Sequence, residues 1–221
     1  MIRPAVSALV PVCAFAESKR RLSPLLAPEE RHALARTMLE DALDCLGRTA
    51  AVAEILIVGD DTEAGALASD YGARALPDAP GGLNASLTAA VAWARAGNPE
   101  VALLILHADL PAATPEDIEA LIGTTADVAL ARAPDGGTNA MALRPGVTLP
   151  FAFGPESCAR HRAAAGAAGL TVAIVERPGL ALDLDRPEDI AAYLARAGNS
   201  RTLGLLHKFG VPARLRAKAD R

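Results

Sequence analysis

Three aspartates and a short run of cations are the residues whose types and spacing offer chemistry. Asp183 and Asp185 stand two apart around Leu184, and Asp109 closely follows Val101 to Leu106, the most apolar run of the chain. Carboxylates so placed are hard oxygen ligands suited to Mg²⁺, which is usually bound by one or two carboxylates plus substrate phosphates. The Asp183-Leu184-Asp185 spacing has a second use: Asp183 can cap a strand and Asp185 the helix that opens at Pro187. Lys19, Arg20 and Arg21 follow the first apolar run closely. Such a cluster suits the spread negative charge of a triphosphate, or it is simply a solvated charge run.

Several turns add weaker signals. Gly81-Gly82-Leu83-Asn84 approaches a helix N-terminus, where backbone amides favour an anion. Gly136-Gly137-Thr138-Asn139 and Phe153-Gly154-Pro155-Glu156-Ser157 are two further polar turns, the second leading into a helix. His161 lies one helical turn after Ser157, between Arg160 and Arg162, and is either bonded within the fold or turned to a phosphate. No other histidine (His32, His107, His207) is paired at metal-ligand spacing. G-x-G-x-x-G after the first strand, G-x-x-x-x-G-K-[ST] and G-x-S-x-G are all missing, which disfavours a dinucleotide dehydrogenase, a P-loop phosphotransferase and an α/β-hydrolase.

The elements that must position these residues alternate. Strands are predicted over Val6–Val12, Ile55–Val58, Ala73–Leu76 and Val101–Leu106, the last a central parallel strand buried on both faces. Between them lie helices from Pro28, over Thr62–Tyr71 and over Leu83–Ala96, and Thr114-Pro115-Glu116-Asp117 starts the next with a capping box. Asp127–Ala131 and Asn139–Leu143 read as strands of a long hairpin or an edge excursion. A helix over Glu156–Ala168, a strand over Thr171–Val175 and a helix from Pro187 complete the series. The expected architecture is α/β: a three-layer αβα arrangement around a mostly parallel sheet with a small antiparallel insertion. Ligands of such sheets bind beyond the carboxyl ends of the strands, where the aspartates and cations fall.

The chain has 221 residues, enough for one full α/β core and little for two, so one domain over residues 1–197 is expected, followed by a basic tail over 198–221. With 51% hydrophobic and 22% charged residues the chain is neither disordered nor collagen-like. At 3% aromatic it lacks the stacking platforms of single-stranded nucleic-acid binders, so no nucleic-acid partner is expected. The net charge of −4 is uneven, because the tail carries six Lys or Arg against Asp220 alone. A frayed, solvated terminus is the favoured reading of that tail. Cys13, Cys45 and Cys158 show no CxxC spacing, which argues against a disulfide framework and a zinc site and for a reducing, cytoplasmic setting. No apolar run approaches a membrane span of about 20 residues.

Taken in order, Val10-Pro11-Val12, Lys19-Arg20-Arg21-Leu22, Gly82-Leu83-Asn84, Ala108-Asp109-Leu110-Pro111, Gly137-Thr138-Asn139, Phe153-Gly154-Pro155-Glu156-Ser157 with Ala159-Arg160-His161, and Asp183-Leu184-Asp185 resemble the CofC family. These are phospholactate or phosphoenolpyruvate guanylyltransferases of coenzyme F420 biosynthesis, similar to MobA-type nucleotidyltransferases. The resemblance runs from Leu9 to about Tyr193 and implies a GT-A-like (MobA-like) fold acting on GTP and a small phosphorylated acid: 2-phospholactate, phosphoenolpyruvate or 3-phosphoglycerate. It implies that Asp109, Asp183 and Asp185 hold Mg²⁺ and that Lys19 and Arg21 meet the triphosphate. Gly82, Leu83 and Asn84 would line the nucleotide pocket, while Thr138, Gly154 and Ser157 would hold the acceptor. A downstream transferase would take the labile product, and a homodimer is compatible with the family. Cys13 stands where the family usually has Lys, Ala108 replaces a usual Gly, Arg20 a Ser or Thr, and Arg186 a Thr.

Overall fold

A computed structural model of the chain describes residues 5–196 and 198–219. The strands are β1 (Val6–Pro11), β2 (Val52–Val58), β3 (Arg74–Leu76), β4 (Ala102–Leu106), β5 (Val128–Arg132), β6 (Thr138–Leu143) and β7 (Val172–Ile174). The helices are α1 (Pro28–Gly47), α2 (Thr62–Asp70), α3 (Leu83–Gly97), α4 (Pro115–Ile122), α5 (Ser157–Ala167), α6 (Pro187–Arg196), α7 (Arg201–Lys208) and α8 (Val211–Ala219). All seven strands join one sheet in the order β3-β2-β1-β4-β6-β5-β7.

Strand periodicity sorts the core into two layers. Ala8, Val10, Leu104 and Leu106 face α1, α2 and α4, whereas Leu9, Leu103 and Ile105 face α3 and α5. Successive side chains of a strand point to opposite faces, so a strand covered on both sides must be largely apolar, as β4 is and as β1 is apart from Ser7, which donates to Glu54 at 3.2 Å. β4 is central, but it is parallel only to β1; its other neighbour, β6, runs antiparallel. The expected edge excursion is therefore an interior insertion: β6 sits between β4 and β5, and β7 adds parallel to β5 at the margin. Turn signals and alternation identify a hairpin, but its place in the sheet depends on which strand needs its second edge covered.

A third core lies below the carboxyl end of the sheet, built from Leu22, Leu34, Met38, Leu184, Tyr193, Leu206 and Val211. It contradicts the solvated tail read from charge. Asp41 of α1 accepts from the amides of Arg201 and Thr202 at 3.0 and 2.9 Å, Arg201 pairs with Asp44, and Arg214 grips Glu30 through two 2.7 Å bonds. Two of the tail's cations, Arg201 and Arg214, thus answer acids on α1, while Leu206 and Val211 are fully buried. Leu206→Ala is expected to cost about 2–4 kcal/mol, a buried leucine truncated with incomplete collapse. Urea unfolding checks this, and a loss of only a few tenths would return the tail to solvent.

No described helix is long and apolar enough to cross a membrane.

Candidate active site

The aspartates meet at the carboxyl end of the sheet because two loops are tied together there. β4 delivers Asp109, whose backbone carbonyl accepts from the amide of Leu184 at 3.1 Å. The Leu184 side chain is buried in the third core. In extended chain, residues i and i+2 share a side opposite to i+1, which is why a D-x-D spacing can turn both acids one way. One oxygen of each of Asp109, Asp183 and Asp185 lies within 4.8 Å of the others. The capping alternative for Asp185 fails: Asp189 accepts from the amides of Asp185 and Arg186 at 3.1 and 2.7 Å. Asp185 turns its carboxylate instead to Lys19 and Arg21.

Loop 177–180, which leads to Asp183, is also fixed from the side. Arg177 pairs with buried Asp117 at 2.9 Å, and a Cβ at Gly179 would stand 2.1 Å from Asp117 Oδ2 and 2.5 Å from the carbonyl of Ala112. Asn139 donates to the carbonyl of Leu180 at 3.0 Å and reaches Asp183 at 3.5 Å. Asn139 appears in the sequence only within a turn motif and at a strand start, Asp117 only as a capping-box acid, and Arg177 carries no local signal.

Lys19 lies between two short 3₁₀ turns whose ends are anchored by buried Phe15 and Leu22. Its backbone is left-handed, with φ of 55°, an uncommon choice for a non-glycine residue. From there Nζ reaches Asp109 at 2.7 Å and Asp185 at 2.6 Å. Arg21 stands 3.7 Å from Asp185, whereas Arg20 turns away to an exposed pair with Glu17. Two of the three cations in the run therefore face the acids.

These neighbours set the charges. Burial alone would discharge Lys19, but Asp109 and Asp185 outweigh it and hold its pKa above the ordinary value. Burial likewise opposes ionisation of Asp109, yet the Lys19 charge, helped by His107, brings its carboxyl below the usual range. Asp183 has no such partner; burial, then the Asp109 charge, pushes its pKa up to about 6. Asp109 Oδ1 is buried without a hydrogen-bond partner among the described residues. An unsatisfied, buried, anionic oxygen is costly in protein alone and fits a cation. Three carboxylates of this kind can hold a divalent metal ion.

Cys13, Ser18, Lys19, His107, Asp109 and Asp185 help to line a cavity of about 260 Å³ beside the acids. Burial, with Asp78 nearby, keeps the Cys13 thiol above its usual pKa, so it contributes no charge. A larger hollow of about 540 Å³ lies at the opposite end of β1 and β4, near Val6, Ala102 and Leu143, and brings together no carboxylate.

On the other side of His107 stands Phe153, ring to ring at 5.3 Å. Asn84, at the start of α3, binds the Phe153 backbone twice: Oδ1 accepts from its amide at 2.8 Å and Nδ2 donates to its carbonyl at 3.3 Å. Gly82 caps this helix with φ of 79°, and Leu83 is exposed. Arg160 donates to the carbonyls of Ala152, at 2.6 Å, and Pro155. The loop so held carries Gly154, whose φ of 125° excludes most side chains, and its carbonyl accepts from the Ser157 amide at 3.1 Å. Ser157 Oγ and Thr138 Oγ1 are 3.1 Å apart. Thr138, Gly154 and Ser157 are thus one cluster, and Asn84 ties it to the helix that follows Gly82. His161 is buried against this cluster, bonded within the fold rather than turned to solvent.

The geometry has counterparts. The family model described as guanylyl transferase CofC like matches residues 6–220, so the match extends over the tail as well as over Leu9 to Tyr193. A 3-phospho-D-glycerate guanylyltransferase of Phenylobacterium zucineum (strain HLK1) is 42% identical over 185 residues, covering 81% of this chain and 84% of its own. A phosphoenolpyruvate guanylyltransferase of Conexibacter woesei is 38% identical over 212 residues, covering 91% and 95%. Among solved structures, one from Desulfovibrio desulfuricans G20 described as a nucleotide-diphospho-sugar transferase superposes with a TM-score of 0.81 at 19% identity, covering 96% of this chain and 97% of that one. A 4-diphosphocytidyl-2C-methyl-D-erythritol synthase superposes with a TM-score of 0.60 at 17% identity, covering 86% and 97%. These two share the nucleotidyltransferase-type fold. Its sequence matches over nearly its whole length place this chain in the CofC-like guanylyl transferase family, as a nucleotidyltransferase enzyme.

Proposed function

We propose that this chain transfers GMP from GTP to the phosphate of a small phosphorylated carboxylic acid and releases pyrophosphate, with Mg²⁺ held by Asp109, Asp183 and Asp185. The observation that carries the reading is the buried Oδ1 of Asp109, unpartnered among the described residues, within a triad of acids of which Asp109 and Asp185 line a cavity together with Lys19. The acceptor class is supported by the names of the relatives, which act on 3-phospho-D-glycerate and phosphoenolpyruvate.

An oxygen of the acceptor phosphate attacks the α-phosphorus of GTP in line; the bond from that phosphorus to the β-bridging oxygen breaks, and pyrophosphate leaves with the electron pair. Mg²⁺, when bound, supplies charge neutralisation at the phosphoryl oxygens. Lys19 and Arg21 meet the triphosphate and offset the charge that accumulates on the departing pyrophosphate. Gly82 and Leu83 line the nucleoside side, and Asn84 acts there through Phe153. Thr138, Gly154 and Ser157 offer small donors to the acceptor's phosphate and carboxylate. The acceptor phosphate is already ionised near neutral pH, so no general base is needed. The product joins two phosphates in an anhydride, a reactive link suited to a following transferase in coenzyme F420 biosynthesis.

The test is pyrophosphate release from GTP and Mg²⁺ with 2-phospholactate, phosphoenolpyruvate or 3-phosphoglycerate added singly, and with CTP or ATP replacing GTP. Release is expected to require GTP and one of the acids. Asp109→Asn is expected to lower it by about 10³-fold or more while the circular dichroism spectrum is unchanged, because one charged ligand is lost where phosphoryl charge develops. Release independent of any acid would overturn the reading.

A further inference from the structure

His161 belongs to no role assigned so far, yet its ring is hydrogen-bonded to the Thr138 hydroxyl. It is fully buried on α5, four residues after Ser157 and so on the same helix face. Nε2 accepts from the backbone amide of Ala152 at 2.9 Å, Nδ1 lies 3.1 Å from Thr138 Oγ1, and the ring meets Phe153 edge-on at 4.8 Å.

An amide N–H can only donate, so Nε2 must carry a lone pair, and a neutral ring then has its proton on Nδ1. Burial, reinforced by the Arg160 charge, pushes the His161 pKa down to about 4, so the ring is neutral under physiological conditions. Nδ1–H therefore donates to Thr138 Oγ1. Thr138 and Ser157 own two hydroxyl protons, and the 3.1 Å contact between them takes one. The second remains unpartnered within the cluster. With the opposite tautomer, Thr138 would donate to Nδ1 and Ser157 to Thr138, and neither proton would be left. Ala152 N–H thus fixes, through His161, how many donors the cluster can offer a ligand.

We propose that His161 is a positioning residue for the phosphorylated acid: by donating from Nδ1 to Thr138 it keeps one hydroxyl proton of the Thr138–Ser157 pair free for the acceptor's anionic group. The proposal rests on the assignment of Thr138, Gly154 and Ser157 to the acceptor made above. It also explains why a buried imidazole stands where a larger apolar side chain would fill the same space.

Steady-state kinetics of His161→Phe and His161→Asn test it, with the imidazole ¹⁵N spectrum of the wild-type enzyme as a second measurement. The asparagine Nδ2 can take the place of Nδ1 and donate to Thr138, whereas phenylalanine cannot. His161→Phe leaves the pair its free proton but removes the donor that orients it, and is expected to raise the acceptor KM by about fivefold with the KM for GTP unchanged. His161→Asn is expected to recover most of that loss, and the spectrum to show a neutral ring protonated at Nδ1. Equal increases in both KM values, an asparagine variant no better than phenylalanine, or a proton on Nε2 would overturn the proposal. Should His161→Phe fail to fold, the asparagine variant and the spectrum decide. A wild-type enzyme that turns over with no acid would instead overturn the functional reading, and the spectrum would still report the proton count.

Discussion

Asp183→Asn is expected to make the metal-free protein more stable and to end its turnover. Asp183 is half-buried beside Asp109 and lacks the lysine contact that Asp109 and Asp185 share, so its pKa rises from 3.8 to about 6. A folded-state pKa above the unfolded one means that the folded chain binds the proton more readily. Stability is therefore lost as pH rises from about 4 through about 6, and above that the penalty is complete. Such a displacement corresponds to about 3 kcal/mol for a fully desolvated group. Partial exposure reduces the expected gain to about 1–2 kcal/mol, or roughly 3–6 °C in Tm for a chain of this size. Asparagine removes the charge and keeps an oxygen for Asn139. Thermal melts at neutral pH without metal would show the gain, which should fade on acidification towards pH about 4 as the wild-type carboxyl takes up its proton. Added Mg²⁺ should raise the wild-type Tm more than that of the variant. A variant that melts lower, or responds to Mg²⁺ like the wild type, would show that Asp183 is a structural acid. On the proposed function the site has the character of a stability trade, with repulsion retained for the divalent cation that would relieve it.

What local sequence reveals here follows from what local sequence decides. Strand periodicity and the Thr114 to Asp117 capping box are short-range physics, and β1, β4 and α4 lie where they place them. The Asp183-Leu184-Asp185 motif was readable as ligand pair or cap because both uses need the same residue types. Only the nonlocal bond from Leu184 to Asp109, together with Asp189 taking the capping duty, separates them. The hairpin was readable, but its insertion between β4 and β7 was not, since strand order is set by which edges remain uncovered. Counting tail charges pointed to solvent because their partners, Glu30 and Asp44, lie more than 150 residues away in sequence. The apolar spacing of Leu203, Leu206 and Val211 was the signal that the charge count obscured. For His161 the four-residue step from Ser157 gave the shared helix face, while the Ala152 amide that fixes its tautomer leaves no trace in residue type.

Lys19→Met is expected to weaken fold and reaction together. The ammonium is almost wholly buried, with 9% of the side chain exposed, and bonds two carboxylates at 2.6 and 2.7 Å. Methionine fills a similar volume and keeps the backbone requirement at φ 55° no worse than it is for lysine. Loss of the ammonium leaves buried Asp109 without a paired cation and Asp185 with only the exposed Arg21 at 3.7 Å. Breaking a buried pair from one side typically costs about 3–5 kcal/mol, and about 2–4 is expected here because Asp185 retains access to water. The pH dependence identifies the cause. In the wild type Asp109 is held below the usual carboxylate range, so the stability it contributes is present above its unfolded value of 3.8 and is lost only as pH falls through the lower folded value. Without Lys19 the largest opponent of burial is gone, and the Asp109 pKa must rise. The variant should therefore lie furthest below the wild type at neutral pH and approach it on acidification, when a protonated Asp109 no longer needs a cation. Mg²⁺ should close much of the neutral gap, since a bound divalent ion neutralises the same oxygens. Turnover should remain low even then, by about 10²–10³-fold in kcat, because metal on the acids does not replace the cation that meets the triphosphate. Urea unfolding across the pH range with and without Mg²⁺, followed by pyrophosphate release at saturating metal, reads out all three effects. An unchanged unfolding midpoint would mean that Lys19 leaves the acids in solution, and full turnover would remove it from the reaction.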